Sequence, residues 1–232
     1  MIYLTVADTK DFSGRGNSTT KERIEEIATV SEYLEVDGWR LAYQGESYHL
    51  NMDQIPQHQI IDEIEKGDGI SLESSRPEIF AFPSFGDYNQ DHRAAAEACF
   101  AACRPATAQE KHIPSIVLSY EAPMNSWNHP HTASSPNLYI SMTATQAEKK
   151  AHAMNLYASQ VRSLGHPRHS ETLKALAQLR GAEIGLPFAE AYKLHRIQVR
   201  LEASFSPTQA IINRRSSPRR IPSQEIVQGQ SS

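Results

Sequence analysis

The sequence predicts an α/β fold with a mostly parallel sheet. Two observations lead there. Short apolar, β-branched runs alternate with stretches of helical spacing, the pattern of repeated strand–helix–strand units. Gly, Pro and capping residues punctuate the chain at the joins. The 232 residues are enough to bury a sizeable core.

Residues 2–7 (IYLTVA) read as a buried strand. DTKDFSGRGNSTT is loop by composition. Thr19 and Glu22 then form a capping-box pattern, with Ile24, Ile27, Ala28, Ser31 and Leu34 at helical spacing. Trp39 to Tyr43 reads as a second strand. Pro56 opens a helix whose apolar face is Ile60, Ile61 and Ile64, and Gly67 ends it. PEIFAFP (77–83) is a third strand. Asp91 caps the next helix, in which Ala95, Ala98, Cys99 and Ala102 form one small-residue face, and Pro105 stops it. SIVLSY (115–120) and LYISM (138–142) are further strands. Residues 145–160 and 170–184 read as helices, the latter burying Leu173, Leu176, Ala177 and Ile184. Residues 203–232, rich in Ser, Pro, Gln and Arg, read as a disordered tail.

Composition narrows the function classes. Hydrophobic residues are 39% and charged residues 22% of the chain, a globular balance. The net charge is −4; the tail contributes +3 from four arginines and one glutamate, leaving −7 on residues 1–202. An acidic body argues against a nucleic-acid partner. No apolar run approaches membrane-spanning length, the N-terminus lacks a secretory signal, and the two cysteines suit a reducing, cytoplasmic setting.

Ligands of parallel sheets bind at the carboxyl ends of the strands. The loop SFGDYNQDH follows the third strand, so Asp87, Asn89, Asp91 and His92 fall on that rim. His92, in a first helical turn, reads either as a metal ligand or catalytic imidazole, or as a surface histidine beside a cap. Cys99 and Cys103 share a helix face and read as small core residues rather than a metal or redox pair. Histidines 129, 131, 166 and 169 sit in Pro-containing loops and read as exposed. Gly14-Arg15-Gly16 lacks the third glycine of a dinucleotide fingerprint. The RRSSPRR cluster reads as a solvated segment.

Several blocks in order resemble the PIG-L/LmbE deacetylases. PEIFAFPSFGDYNQDHRAAAEACFAACRP resembles that family's second signature, a strand leading to His/Asn-x-Asp-His and a helix. Arg23-x-x-Glu26, HLNMDQIPQHQIIDEIE (49–65) and HPRHSETLKALAQLRGAEIGLPFAEAYKLHRI (166–197) match three further blocks. The resemblance spans roughly residues 1–200 and implies a deacetylase-like domain over 1–202 with a Rossmann-like three-layer α/β fold. It implies a zinc-dependent hydrolase that removes an N-acetyl group from an N-acetylglucosamine-containing sugar or glycoconjugate. His92 then matches a zinc ligand. Asn89 and Asp91 are the catalytic-loop residues, Asn89 facing substrate and Asp91 ordering the loop and His92. Arg23, His166 and Arg168 are the substrate-binding candidates.

One departure stands out. The family's first signature, His-Pro-Asp-Asp after its first strand, supplies two zinc ligands and the general base, and it does not occur here. IYLTVAD matches the family's second strand instead, with Asp8 in place. The resemblance therefore implies a sheet without its first strand and helix, and a gap flanked by unpaired strand edges. Asp8, His49 and Asp87 are the residues available for recruitment to a metal. Three readings follow in order: a deacetylase represented without its first block, a non-catalytic sugar-binding relative, and a metalloenzyme with a rebuilt site. A Rossmann-like nucleotide-sugar binder is the reading outside the family, and the missing glycine-rich loop counts against it.

Overall fold

The structure is a computed structural model that describes residues 1–11, 16–127 and 135–199. Met1–Gln198 form one compact unit. The expected tail at 203–232, the Gly14-Arg15 pair, His129 and His131 lie outside the described residues.

The elements, in chain order, begin with β1 (Ile2–Val6), β2 (Thr9–Asp11), β3 (Gly16–Ser18), α1 (Thr20–Tyr33) and β4 (Arg40–Gln44). They continue with α2 (Gln57–Lys66), α3 (Leu72–Ser75), β5 (Ile79–Pro83), α4 (Gln90–Ala102) and β6 (Ile116–Tyr120). Last come β7 (Leu138–Ser141), α5 (Ala144–Leu156), α6 (Ser170–Ala182) and β8 (Ala189–Ile197). The α/β class and the principal strands and helices are as the sequence predicts. The Thr19/Glu22 capping box forms, and Gly67 caps the end of α2.

Three local readings are corrected. The segment after β1 is not all loop, because β2 and β3 pair as a short antiparallel hairpin; three-residue strands are too short to show periodicity. The cap of α4 is Asn89, whose side chain accepts the Asp91 N–H, whereas Asp91 lies inside the first turn. A strand unassigned in the sequence, β8, runs antiparallel to both β6 and β7. Its inward residues at one end are Ala189 and Ala191, so its buried face carries no bulky β-branched signal.

Two strand–helix–strand units build the sheet. β1 pairs parallel with β4 across α1, and β5 pairs parallel with β6 across α4. The α2, α3 and α4 helices pack on one another, and so do α1, α5 and α6, giving a helix layer on each side. Met52, Ile60, Ile64, Phe82 and Val117 close on the small face of α4 (Ala98, Cys99 and Ala102). Both cysteines are buried and unpaired, and burial pushes the Cys103 thiol up to about 11, as core thiols behave.

The sheet is divided. The β1–β4 pair and the β5–β6–β8–β7 sheet share no backbone ladder among the described residues. A cavity of about 1470 Å³ lies between them, lined by β1 on one side and β5 on the other. Its presence explains a further correction. Leu173 and Leu176 of α6 face this cavity and are half-buried, while Ile184 lies beyond the helix end and is exposed; of the expected core positions only Ala177 is buried. Ile79 of β5 is 57% exposed for the same lack of cover.

Gly181 has a packing reason. A Cβ there would come within 2.5 Å of the Leu186 carbonyl oxygen, so only glycine lets α6 lie against the turn into β8.

A charged cluster is buried behind α4. Glu65 is 3% exposed and accepts from Lys111 Nζ at 2.8 Å and from Arg104; Lys111 also donates to the Ala102 carbonyl at 2.5 Å. Burial works to raise the Glu65 pKa, but the two cationic donors outweigh it and hold it below the usual carboxylate range. Replacing Lys111 by Met leaves that carboxylate with a half-exposed arginine alone. We expect a loss of about 3–5 kcal/mol in urea unfolding near neutral pH. Because the folded pKa is depressed, the wild-type contribution is present above the unfolded carboxylate pKa and is lost as pH falls through the folded value. The gap between wild type and Lys111→Met therefore closes in acid.

Candidate functional site

The site starts from the turn after β5. Asp87 is 2% exposed, and its Oδ1 accepts the Asn89 N–H at 2.9 Å, a local turn of the kind Asp favours. Its Oδ2 meets His92 Nδ1 at 2.8 Å. An ionised carboxylate only accepts, so Nδ1 carries the proton and Nε2 keeps its lone pair. The imidazole is half-exposed and lines the cavity. A ring held in this way presents a basic nitrogen in a fixed direction, to a water proton or to a metal ion.

The other residues of the turn have separate tasks. Asn89 Oδ1 accepts the Asp91 N–H at 2.9 Å, and its NH₂ makes no bond among the described residues, so it remains a donor at the cavity wall. Asp91 is 5% exposed, and its carboxylate accepts from Leu50 N at 2.7 Å and Met52 N at 3.0 Å. The sequence reading gives Asp91 the ordering of His92; the carboxylate that does so is Asp87. Asp91 fastens the 50–52 segment to α4, and in doing so brings His49 to the cavity.

Arg23, on α1, reaches back to the Ala7 carbonyl at 3.0 Å, just past β1. Glu26, about one turn further along α1, accepts from Ser159 N and Oγ, each at 2.7 Å. Arg168 donates to Gln160 Oε1 at 2.7 Å. Neither guanidinium makes an ion pair among the described residues. Burial is the leading cause that lowers both pKa values; repulsion from Arg168 adds to it at Arg23, and repulsion from Arg162 adds to it at Arg168. His49 is also lowered, first by burial and then by Arg23, and its Nδ1 is buried without a hydrogen-bond partner among the described residues.

Of the site residues expected from sequence, Arg23, Asn89, Asp91, His92 and Arg168 line one cavity. His166 does not. Its Nδ1 accepts the Arg168 N–H at 3.0 Å, so it shapes the loop that carries Arg168. His169 caps α6 through its side chain. Asp8 accepts from Thr20 N and Oγ1 at 2.5 and 2.7 Å, which binds it to the start of α1.

Among the described residues no group of three or more His, Cys, Asp or Glu side chains is placed to hold a metal ion. Zinc sites use at least three protein ligands. His92 with Asp87 behind it is one ligand and its support, so these residues alone do not fit zinc.

Neutralising Arg23 removes the second cause of the His49 shift and leaves the first. In Arg23→Gln we expect the His49 pKa to rise while staying below the ordinary histidine value of about 6.5. Histidine NMR titration of both proteins measures this. An unchanged His49 would mean that the two side chains do not interact.

No family model and no curated protein matches this chain. Solved structures do. The conserved protein TT1542 from Thermus thermophilus superposes with a TM-score of 0.62 at 21% identity, covering 88% of this chain and 84% of its own. An N,N'-diacetylchitobiose deacetylase from Pyrococcus horikoshii, complexed with its inhibitor, gives 0.56 at 14% identity, over 83% and 72%. At these identities the likeness is one of fold: this chain has a deacetylase-like α/β fold. Among the described residues no helix is long and apolar enough to cross a membrane.

Proposed function

We propose that this chain acts on an N-acetylated amino sugar, as a hydrolytic N-deacetylase of the PIG-L/LmbE type. The observation that carries the reading is the His92 imidazole, locked through Nδ1 by a buried carboxylate. It stands around one cavity with an Asn89 amide donor and two guanidiniums, none of the three spent on a carboxylate among the described residues. The deacetylase-like fold and the family resemblance of the sequence supply the reaction class.

In this reading Arg23 and Arg168 hold the sugar through its oxygens. His92 Nε2 accepts a proton from the attacking water as its oxygen adds to the acetamido carbonyl. Asn89 donates to the oxygen on which negative charge develops. The proton passes to the amine nitrogen, the C–N bond breaks, and acetate and the free amino sugar leave. Asp87 stabilises the imidazolium formed on the way, as a buried carboxylate behind a catalytic histidine does. Zinc belongs to the family resemblance. It would require His92 and donors other than the described residues, and no step is assigned to it. The incomplete donor set favours one second reading, binding of the same sugar without hydrolysis.

Acetate release from N,N'-diacetylchitobiose, followed alongside calorimetric binding, separates the two. We expect turnover, a fall of about 10²-fold or more in kcat for His92→Ala, and for Arg168→Ala a rise in KM with a smaller change in kcat. Binding without acetate release, with or without added zinc, selects the second reading. Absence of any binding ends both.

A further inference from the structure

We infer that the substrate carries a phosphate group, which Arg23 and Arg168 bind at the cavity wall. The chain then takes an N-acetylated amino-sugar phosphate in preference to a neutral sugar. The phosphate is argued from the guanidiniums alone; its attachment to a sugar rests on the deacetylase reading.

The two arginines come from different elements, and a relay of side chains joins those elements. Arg23 lies on α1, as does Glu26, which accepts from Ser159 N and Oγ at 2.7 Å. The Ser159 hydroxyl in turn accepts from Gln160 Nε2 at 3.1 Å, and Gln160 Oε1 accepts from Arg168 Nη1 at 2.7 Å. The 157–169 loop, which carries Arg168, is thereby tied to α1, and both ends of the Gln160 amide are engaged. Arg23, Gln160 and Arg168 all line the cavity. Arg162 lines it too, with Nη1 donating to the Ser159 and Val161 carbonyls, each at 2.9 Å.

The bonds that hold the pair leave their charges uncompensated. Arg23 Nη1 donates to the Ala7 carbonyl at 3.0 Å; Arg168 donates to Gln160 and, through Nε, to the Met124 sulfur at 3.4 Å. All three acceptors are neutral. Each guanidinium has five N–H donors, so most remain for a ligand. The carboxylates near enough to be felt are engaged elsewhere. Glu26 acts on Arg23 but is bonded to Ser159, and Asp87 acts on Arg168 but is bonded to the Asn89 N–H and His92 Nδ1. Asp8, on the same wall, is bonded to Thr20 N and Oγ1. Burial and like charge outweigh these attractions at both arginines. Half-buried cations of this kind cost free energy, and an anion bound between them offsets that cost.

The approach of the forks favours phosphate over carboxylate. One guanidinium satisfies both oxygens of a planar carboxylate. Two guanidiniums arriving from α1 and from the 157–169 loop suit a tetrahedral group with three outward oxygens and nearly two negative charges. The position also suits the proposed chemistry. Arg168 feels Asp87, the carboxylate behind His92, and fields between charges are largely screened beyond about 10 Å in salt water. A phosphate at Arg168 and an amide at His92 therefore fit on one amino sugar.

The test is calorimetry on the full chain with N-acetylglucosamine, its 1-phosphate, its 6-phosphate, and inorganic phosphate alone. We expect at least one ester to bind about tenfold or more tighter than the neutral sugar, as hydrogen bonds to a charged group imply. Arg23→Gln and Arg168→Gln should each cost that ester about tenfold and the neutral sugar clearly less. Arg168→Lys, which keeps the charge and loses the fork, should fall between. A second readout uses sulfate, a dianion whose charge is constant through the histidine range. Bound beside Arg23, it offsets the repulsion that helps to lower His49. The His49 pKa should rise with saturating sulfate in the wild type and move less in Arg23→Gln, as followed by NMR. Equal affinity for the sugar and both esters, equal losses on neutral and phosphorylated sugar in the glutamine variants, or a His49 pKa indifferent to sulfate would overturn the proposal. Inorganic phosphate binding with no gain from the sugar would assign the site to the free ion and overturn the substrate claim. Phosphate preference without acetate release sinks the deacetylase reading alone, and acetate release with no phosphate preference sinks this one alone.

Discussion

A sheet must pair its backbone groups, and in this chain that requirement is met on two separate fragments. β1 and β4 form one, and β5, β6, β8 and β7 the other. What would ordinarily be a continuous ladder is replaced by side-chain links. The Glu26 carboxylate ties α1 to Ser159, beyond α5. The Tyr3 and Tyr157 hydroxyls meet at 3.2 Å. The Asp91 carboxylate ties α4 to the backbone at Leu50 and Met52, which follow β4. Hydrogen bonds to charged groups are stronger than neutral ones, but they are few and local. They fix points on the two fragments, whereas a ladder fixes a whole edge.

The candidate site spans this division. His92, Asp87 and Asn89 hang from β5 and α4 in the larger fragment. Arg23 and Asp8 hang from β1 and α1 in the smaller one. Within each half the geometry is over-determined: Asp87 is held by its own turn and by His92, and Asp8 by two bonds from Thr20. Between the halves, position depends on the Glu26 and Asp91 links and on Arg168, whose loop is shaped by His166. The rigid part of the site is therefore the imidazole and its carboxylate, and the adjustable part is the pair of guanidiniums at the cavity wall.

The sequence made the repeating units legible for clear physical reasons. IYLTV, IFAFP and IVLSY are β-branched and apolar, and the Thr19/Glu22 box and Gly67 carry the chemistry of helix ends. The small face of α4 was legible because Ala95, Ala98, Cys99 and Ala102 sit at helical spacing. Other features depended on distance in space. Asp87 and Asp91 lie on the same loop, and spacing alone did not tell which carboxylate would meet His92. An Asp two residues before Asn89 is a turn signal, and that turn is what buries Asp87 and points it at the ring. His49 reaches the cavity only because Asp91 holds the 50–52 backbone, a contact across 39 or more residues. The direction of β8 is set by pairing with β6 and β7, which its alternating small and charged residues do not announce.

The cavity and the rim are one space, and this links folding to chemistry. Along β1 and β5 no backbone ladder among the described residues joins the fragments, so the distance between Arg23 and His92 is set by the Glu26 and Asp91 carboxylate links. Leu173 and Leu176 face the same space from α6. How closely the guanidinium half approaches the imidazole half is thus a matter of side-chain links and not of sheet geometry.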